Sequence, residues 1–255
     1  AYAQGRITAL EARALGVQVT FSPVMDINNN PDNPIINFRS YSDDPITVSK
    51  FGSAFIKGAQ DNGLIACAKH FPGHGNTATD SHTSLPTING THYELDRMEL
   101  YPFRISLNEN IEMMMVGHIA LPGLDESRRP ASHSYTITTE LLRNELGFDG
   151  IIITDGMEMG GLTESVWAGE SAVRAVEAGA DILLLPMDVD HTINSLLKSV
   201  ESGRISEDRI NQSVKRIWDI KWKTGLLDED YQLPFIALEK IIGNPEHKKI
   251  AHKIA

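Results

Sequence analysis

Apolar residues along this chain fall in short unbroken runs rather than in alternation: VQVTFSPVM (17–25), LIACAKHF (64–71), EMMMVGHI (112–119), GIIITD (150–155) and DILLLP (181–186). A half-buried strand alternates apolar with polar positions, whereas a continuous run fits a strand covered on both faces, as in a parallel sheet. Between the runs the spacing becomes helical, with recognisable ends. Asp44 followed by Pro45 opens one helix and Gly63 closes it; Thr138 is expected to cap TELLRNEL, which stops at Gly147; SAVRAVEA stops at Gly179. The runs start near 17, 64, 112, 150 and 181, at separations of 47, 48, 38 and 31 residues, long enough for right-handed βα crossovers. The prediction is one α/β domain built from a repeated unit of helix, glycine, strand and loop. The opening AYAQGRITALEARALG reads as a helix in progress, and NPEHKKIAHKIA from Asn244 as a capped helix. Residues 1–243 are therefore taken as the main domain, and 244–255 as the start of a connection toward a further one.

Polar residues collect where the apolar runs stop: Asp26, the pair Lys69 and His70, His118, and Asp155. In parallel α/β folds ligands bind at the carboxyl ends of the strands, so these residues are expected at one rim. The second run leads into KHFPGHGNTATDSHTSLP (69–86), a loop of the length that usually serves as a lid or binding segment. Within it Asp80 and His82 stand two apart, and a carboxylate beside an imidazole can fix its tautomer and make it a proton donor near neutral pH. Asp155, driven to a strand end by the apolar residues before it, suits a nucleophile, an acid or a ligand, or alternatively a helix cap. His70, His74, His82 and His118 with Asp80 raise the question of zinc, but neither an HxH nor an HExxH pair is present, so no metal is assigned. Glycine patterns for nicotinamide or P-loop binding are absent as well.

Composition narrows the partners. The chain has 255 residues and a formal net charge of -11 without a basic run, which disfavours nucleic acid and anionic membranes and favours a small neutral or mildly charged ligand. No apolar run approaches the ~20 residues of a membrane span, and Cys67 is the single cysteine, so no intrachain disulfide forms.

With these residues in place the chain resembles glycoside hydrolase family 3, in its β-N-acetylglucosaminidase branch. The resemblance rests on KHFPGHGNTATDSHTSLP, on FSPVMDINNNP (21–31), NFRSYSDDP (37–45) and RPASHSYTITTELLRNELGFDGIIITDGMEMGG (129–161), in the family's order. It implies a (β/α)8 TIM-barrel-like domain that removes terminal β-linked N-acetylglucosamine, with retention, from chitin- or peptidoglycan-derived saccharides. In that scheme Asp155 is the nucleophile and forms a glycosyl-enzyme, His82 is the acid/base, and Asp80 orients it, a histidine replacing the usual second carboxyl. Arg39, Lys69 and His70 would bind the sugar, His118 would line the pocket, and Asp26 would support it. No cofactor is implied. β-Glucosidase or β-xylosidase activity within the family, and a silent sugar-binding remnant, are the alternatives. Five runs against eight strands suggest a barrel lacking its N-terminal strands in this chain, completed by another polypeptide or leading to self-association. The connecting helix tilts the expected location toward the cell envelope.

Overall fold

The computed structural model describes residues 1–78, 84–159, 162, 166–228 and 238–254. After α1 (Tyr2–Ala14) comes a parallel sheet in the order β1 (Val19–Thr20), β2 (Ile65–Phe71), β3 (Met113–Val116) and β4 (Ile151–Thr154). The register aligns Val19 with Ile65, Cys67 with Met113 and Met113 with Ile151. Ile182 extends this order by one bridge to Ile153.

The unbroken apolar runs are explained by a core on each face of the sheet. Ala66, Ala68, Met114, Val116 and Ile152 point into the larger core, with Phe55 and Ile56 of α2 (Pro45–Gln60). Alternate residues, Ile65, Cys67, Met113, Met115, Ile151 and Ile153, face the other way. The first core also holds Leu95 of α3 (His92–Arg97) and Phe103 of α4 (Tyr101–Ser106), the latter edge-on to Phe71 with centroids 5.5 Å apart. A π-helical segment, α5 (Thr136–Glu145), precedes β4, and α6 (Ala168–Ala178), α7 (Val189–Glu201) and α8 (Glu207–Lys223) follow it. Ile217 and Ile220 of α8 pack against the second core, so the period-2 geometry of the strands is satisfied on both sides. The result is a partial barrel of parallel strands with helices between them.

Helix ends follow the expected chemistry, with one exception. Asp44 accepts the Thr47 backbone N–H at 2.8 Å, and Pro45 occupies a first-turn position where a missing N–H costs nothing. Gly63, Gly147 and Gly179 all have positive φ where their helices stop. Thr138, however, is no cap: it lies fully buried inside α5 and donates its hydroxyl to the Ala131 carbonyl at 2.7 Å. Ser134 takes the capping role, its Oγ accepting from the Ile137 N–H at 3.1 Å.

Two strands are shorter than their apolar runs. Pro23 has no N–H, which interrupts the run 17–25 after Thr20; pairing resumes as a bridge between Val24 and Lys69. Along 181–186 the Leu184 N–H is taken by the Thr154 hydroxyl at 3.0 Å, and Leu185 has positive φ, so no ladder develops beyond Ile182. The tail folds as α9 (Leu238–Ile241) and α10 (Pro245–Ile254). Asn244 caps the second of these through the Glu246 N–H, and His247 Nδ1 lies 2.7 Å from Glu11, which ties α10 back to α1. No helix among the described residues is long and apolar enough to cross a membrane.

Candidate active site

Asp26 is the deepest element of the rim. Its side chain has no solvent exposure, and its carboxylate accepts the backbone N–H of His70 (3.1 Å) and of His74 (2.8 Å) and pairs with His70 Nδ1 at 2.7 Å. Burial raises the pKa of Asp26, but the neighbouring imidazoles and these hydrogen bonds outweigh it and hold the group below the ordinary aspartate value. An ionised carboxylate accepts only, so Nδ1 of His70 carries the hydrogen toward it. The opposite nitrogen, Nε2, then faces Asp155 Oδ2 across 3.9 Å.

Asp155 follows β4, and its own backbone N–H is held by the Val116 carbonyl at 2.9 Å, which fixes its height at the strand end. The side chain is 20% exposed, and Oδ1 accepts the Gly156 N–H at 2.8 Å. Burial works against ionisation, yet the neighbouring His70 and Lys69 together with the Gly156 N–H keep Asp155 below the usual carboxylate range. It opens on a cavity of about 410 Å³ shared with Glu158, Met159, Leu184 and Leu185. Another hollow of similar size, about 430 Å³, lies elsewhere, around Gln60, Asn110 and Lys223, away from these groups.

The remaining predicted positions divide. Lys69 is half-buried beside Asp155, its pKa lowered by burial and by the neighbouring Arg39 charge against the pull of Asp155. Arg39 is exposed and donates to the Ile35 carbonyl at 3.3 Å. His118 does not turn a free edge to the cavity. Its Nε2 lies 3.0 Å from the Gly156 carbonyl, which can only accept, so that nitrogen carries the hydrogen and Nδ1 accepts from Ser132 Oγ at 2.8 Å. Burial pushes its pKa down, consistent with a neutral ring that braces the backbone next to Asp155. Asp80 and His82 lie outside the described residues. The chain on either side is held at this rim, by Asn33 to Thr77 at 3.3 Å and by the Ile88 N–H to the Ala120 carbonyl at 2.9 Å.

Sequence reasoning passed over three residues that build this rim. Asn33 is buried and donates to the carbonyls of His74 (2.9 Å) and Gly75 (2.8 Å) while accepting from the Ile35 and Ile36 N–H groups. Ser40 donates to the Asp26 carbonyl at 2.6 Å, and the Ser132 hydroxyl meets Nδ1 of His118 at 2.8 Å. The only local signal was the asparagine cluster before Pro31 and the serines flanking His133, none of which names a partner. Gly75 is required by space: a Cβ there would lie 1.6 Å from the Ile27 carbonyl oxygen. Among the described residues no three His, Cys, Asp or Glu side chains gather as a metal cluster would.

A carboxylate at the carboxyl end of a parallel strand, backed by a buried Asp–His pair, agrees with the comparisons. Residues 1–220 match the glycosyl hydrolase family 3 N terminal domain. The chain belongs to glycoside hydrolase family 3. It is 33% identical over 265 residues to Beta-hexosaminidase A of Pseudoalteromonas piscicida, an alignment covering 96% of this chain and 44% of that protein. The glycoside hydrolase family 3 beta-N-acetylglucosaminidase of Paenibacillus sp. str. FPU-7 superposes with a TM-score of 0.86 at 39% identity, covering 94% of this chain and 48% of that one. A beta-glucoside phosphorylase, BglX, superposes with a TM-score of 0.94 at 29% identity over 99% of this chain and 47% of the other. The chain thus spans a little under half the length of these relatives. The TIM-barrel-like fold implied by the family is the one found, represented here by part of the barrel.

Proposed function

We propose that this family 3 chain carries the catalytic centre of a retaining exo-β-N-acetylglucosaminidase acting on peptidoglycan- or chitin-derived saccharides. The observation that carries the reading is Asp155: an ionised, partly exposed carboxylate fixed at a strand end, facing His70 and open to a cavity. The free oxygen of Asp155 attacks the anomeric carbon. The bond to the leaving oxygen breaks, and His82 gives that oxygen its proton, leaving a sugar ester on Asp155. Water then attacks the same carbon, gives its proton to His82 and returns Asp155 to its carboxylate. Asp80 orients His82 in this scheme, and His70, Lys69 and Arg39 bind hydroxyl or acetamido groups. Asp26 acts beneath them by fixing the His70 ring.

The preference for an N-acetylated sugar is supported by the likeness to proteins named as beta-hexosaminidase and beta-N-acetylglucosaminidase. β-Glucosidase or β-xylosidase action is the alternative substrate reading. A second outcome for the ester, capture by phosphate in place of water, is favoured by the likeness to a beta-glucoside phosphorylase. The deciding assay is release of an aryl β-N-acetylglucosaminide against the matching β-glucoside, with and without inorganic phosphate, using Asp155→Ala as control. Selective release that needs Asp155 is expected. A folded chain that binds the sugar and releases nothing would reduce the reading to a binding remnant.

A further inference from the structure

Trp167 is the residue before α6, twelve positions beyond Asp155. An indole at that position would be expected to bury itself against the domain, yet Trp167 is 60% exposed. It stands edge-on to the His191 ring, centroids 5.2 Å apart, at one end of a surface cavity of about 450 Å³ between α6 and α7. Along α7 the cavity wall is His191, Asn194 and Lys198, three and four residues apart in turn and therefore on one helix face.

The hydrogen-bonding state of this wall separates its residues into two sets. Glu170 and Arg204, which also line the cavity, are committed to each other at 2.7 and 2.9 Å, with Arg174 and Glu177 completing the network. Their charges cancel locally, which leaves the Lys198 ammonium as the unpaired charge among the described lining residues. The ring nitrogens of His191, the Asn194 amide and the Lys198 ammonium, by contrast, have no hydrogen-bond partner among the described residues. An aromatic surface beside a row of exposed donors and acceptors not tied up by other side chains suits a ligand with an apolar face and many hydroxyl or amide groups. A pyranose ring has both: axial C–H groups on one face, hydroxyls and an acetamide around its edge.

We infer that the Trp167–His191–Asn194–Lys198 wall is a second saccharide-binding site, separate from the Asp155 cavity, that holds an internal stretch of an oligomeric β-linked amino-sugar substrate. The inference rests on the saccharide reading of Asp155 for the class of ligand, but on none of its catalytic residues. Holding the polymer at a second point raises the effective concentration of its chain at the catalytic rim without adding contacts there. Short substrates gain nothing from it, because they cannot occupy both positions.

The test is native gel electrophoresis in soluble glycol chitin, carried out on Asp155→Asn protein so that the polymer survives. Retardation is expected in the parent, an apparent affinity about tenfold weaker in Trp167→Ala, a smaller loss in Asn194→Ala, and recovery in Trp167→Tyr, which keeps the aromatic surface. In protein with Asp155 intact, Trp167→Ala should leave turnover of an aryl β-N-acetylglucosaminide unchanged. Equal retardation of the parent and Trp167→Ala, or retardation of neither, overturns the inference. Aryl glycoside release without Trp167-dependent retardation would leave the proposed activity standing and remove only the second site. Trp167-dependent retardation without release would do the reverse.

Discussion

The two ends of the sheet each bury an aspartate, and they treat it in opposite ways. At the amino end Asp181 is completely enclosed and meets Arg143 at 3.0 Å, Arg216 at 3.2 Å and Arg209 at 3.5 Å, with the Ser213 hydroxyl and the Ile152 N–H also donating to it. At the carboxyl end Asp26 is equally enclosed, but its side-chain partner is the imidazole of His70, which passes the contact on toward Asp155. Guanidinium groups stay charged and offer fixed forks of donors, so three of them lock a carboxylate for good. An imidazole has two distinct nitrogens and a charge that can change. A buried acid surrounded by permanent cations is a fastening for the fold; one coupled through a histidine to a second, half-exposed carboxylate is a place for chemistry.

Exchanging the effects of the two ends tests this contrast. The largest change is expected from Asp155→Asn: loss of turnover on the order of 10⁴-fold, with an unaltered urea midpoint. A variant that unfolds as it loses activity would place Asp155 with Asp181, among the structural acids. His82→Ala should come next. It should slow glycosides with poor leaving groups by roughly 10²- to 10⁴-fold and activated aryl glycosides much less, since only the former need the proton. Equal losses on both substrate types would remove His82 as the acid.

Asp181→Ala is expected to invert the pattern. Leaving buried cations unpaired should cost about 3–5 kcal/mol of stability in urea denaturation, while the folded fraction keeps its kcat. A stable but inactive Asp181→Ala would contradict the division of labour between the ends.

Acid should then reveal the histidines of the carboxyl end. Burial lowers His74 to about 4 and His133 to about 3, and pushes His118 down as well. The unfolded chain therefore binds protons near pH 6.5 that the folded chain refuses. Their contribution to stability is complete above that pH and is lost as pH falls toward the folded values. Each should add about 1.4 kcal/mol per pH unit to the slope once the unfolded form titrates. Urea midpoints unchanged between pH 6.5 and 4.5 would mean these rings are not held neutral. The smallest effect belongs to Ser132→Ala. It removes the hydroxyl that fixes His118, and about 1 kcal/mol of stability is expected to go with it. A rise in KM with kcat unchanged would instead indicate that His118 reaches the sugar.

How much of this was legible in the chain differs from residue to residue. The strands at 64–71, 112–119 and 150–155 were visible because both faces of a buried parallel strand must be apolar, a requirement written into consecutive residues. Helix ends at Asp44, Gly63, Gly147 and Gly179 were equally visible, because caps act within three or four residues. Thr138 was misread for the same reason: a threonine before a helical stretch looks like a cap until Ser134, four residues earlier, is seen to have taken that place. The run 181–186 looked like its neighbours, yet a side chain from Thr154 removed one of the N–H groups its ladder needed.

By itself, then, the sequence determined which segments cross the core and that Asp26, Lys69, His70, His118 and Asp155 lie toward their carboxyl ends, Lys69 and His70 still inside β2, since apolar period is a local property. Only the tertiary structure decided what each of these residues does. Asp26 and His70 are 44 positions apart, and His118 and Gly156 are 38 apart. Whether a carboxylate is buried against an imidazole or an imidazole is spent on a carbonyl depends on crossover geometry that no neighbouring residue encodes. The same geometry makes the difference between Asp155 facing a cavity and Asp181 locked under three arginines.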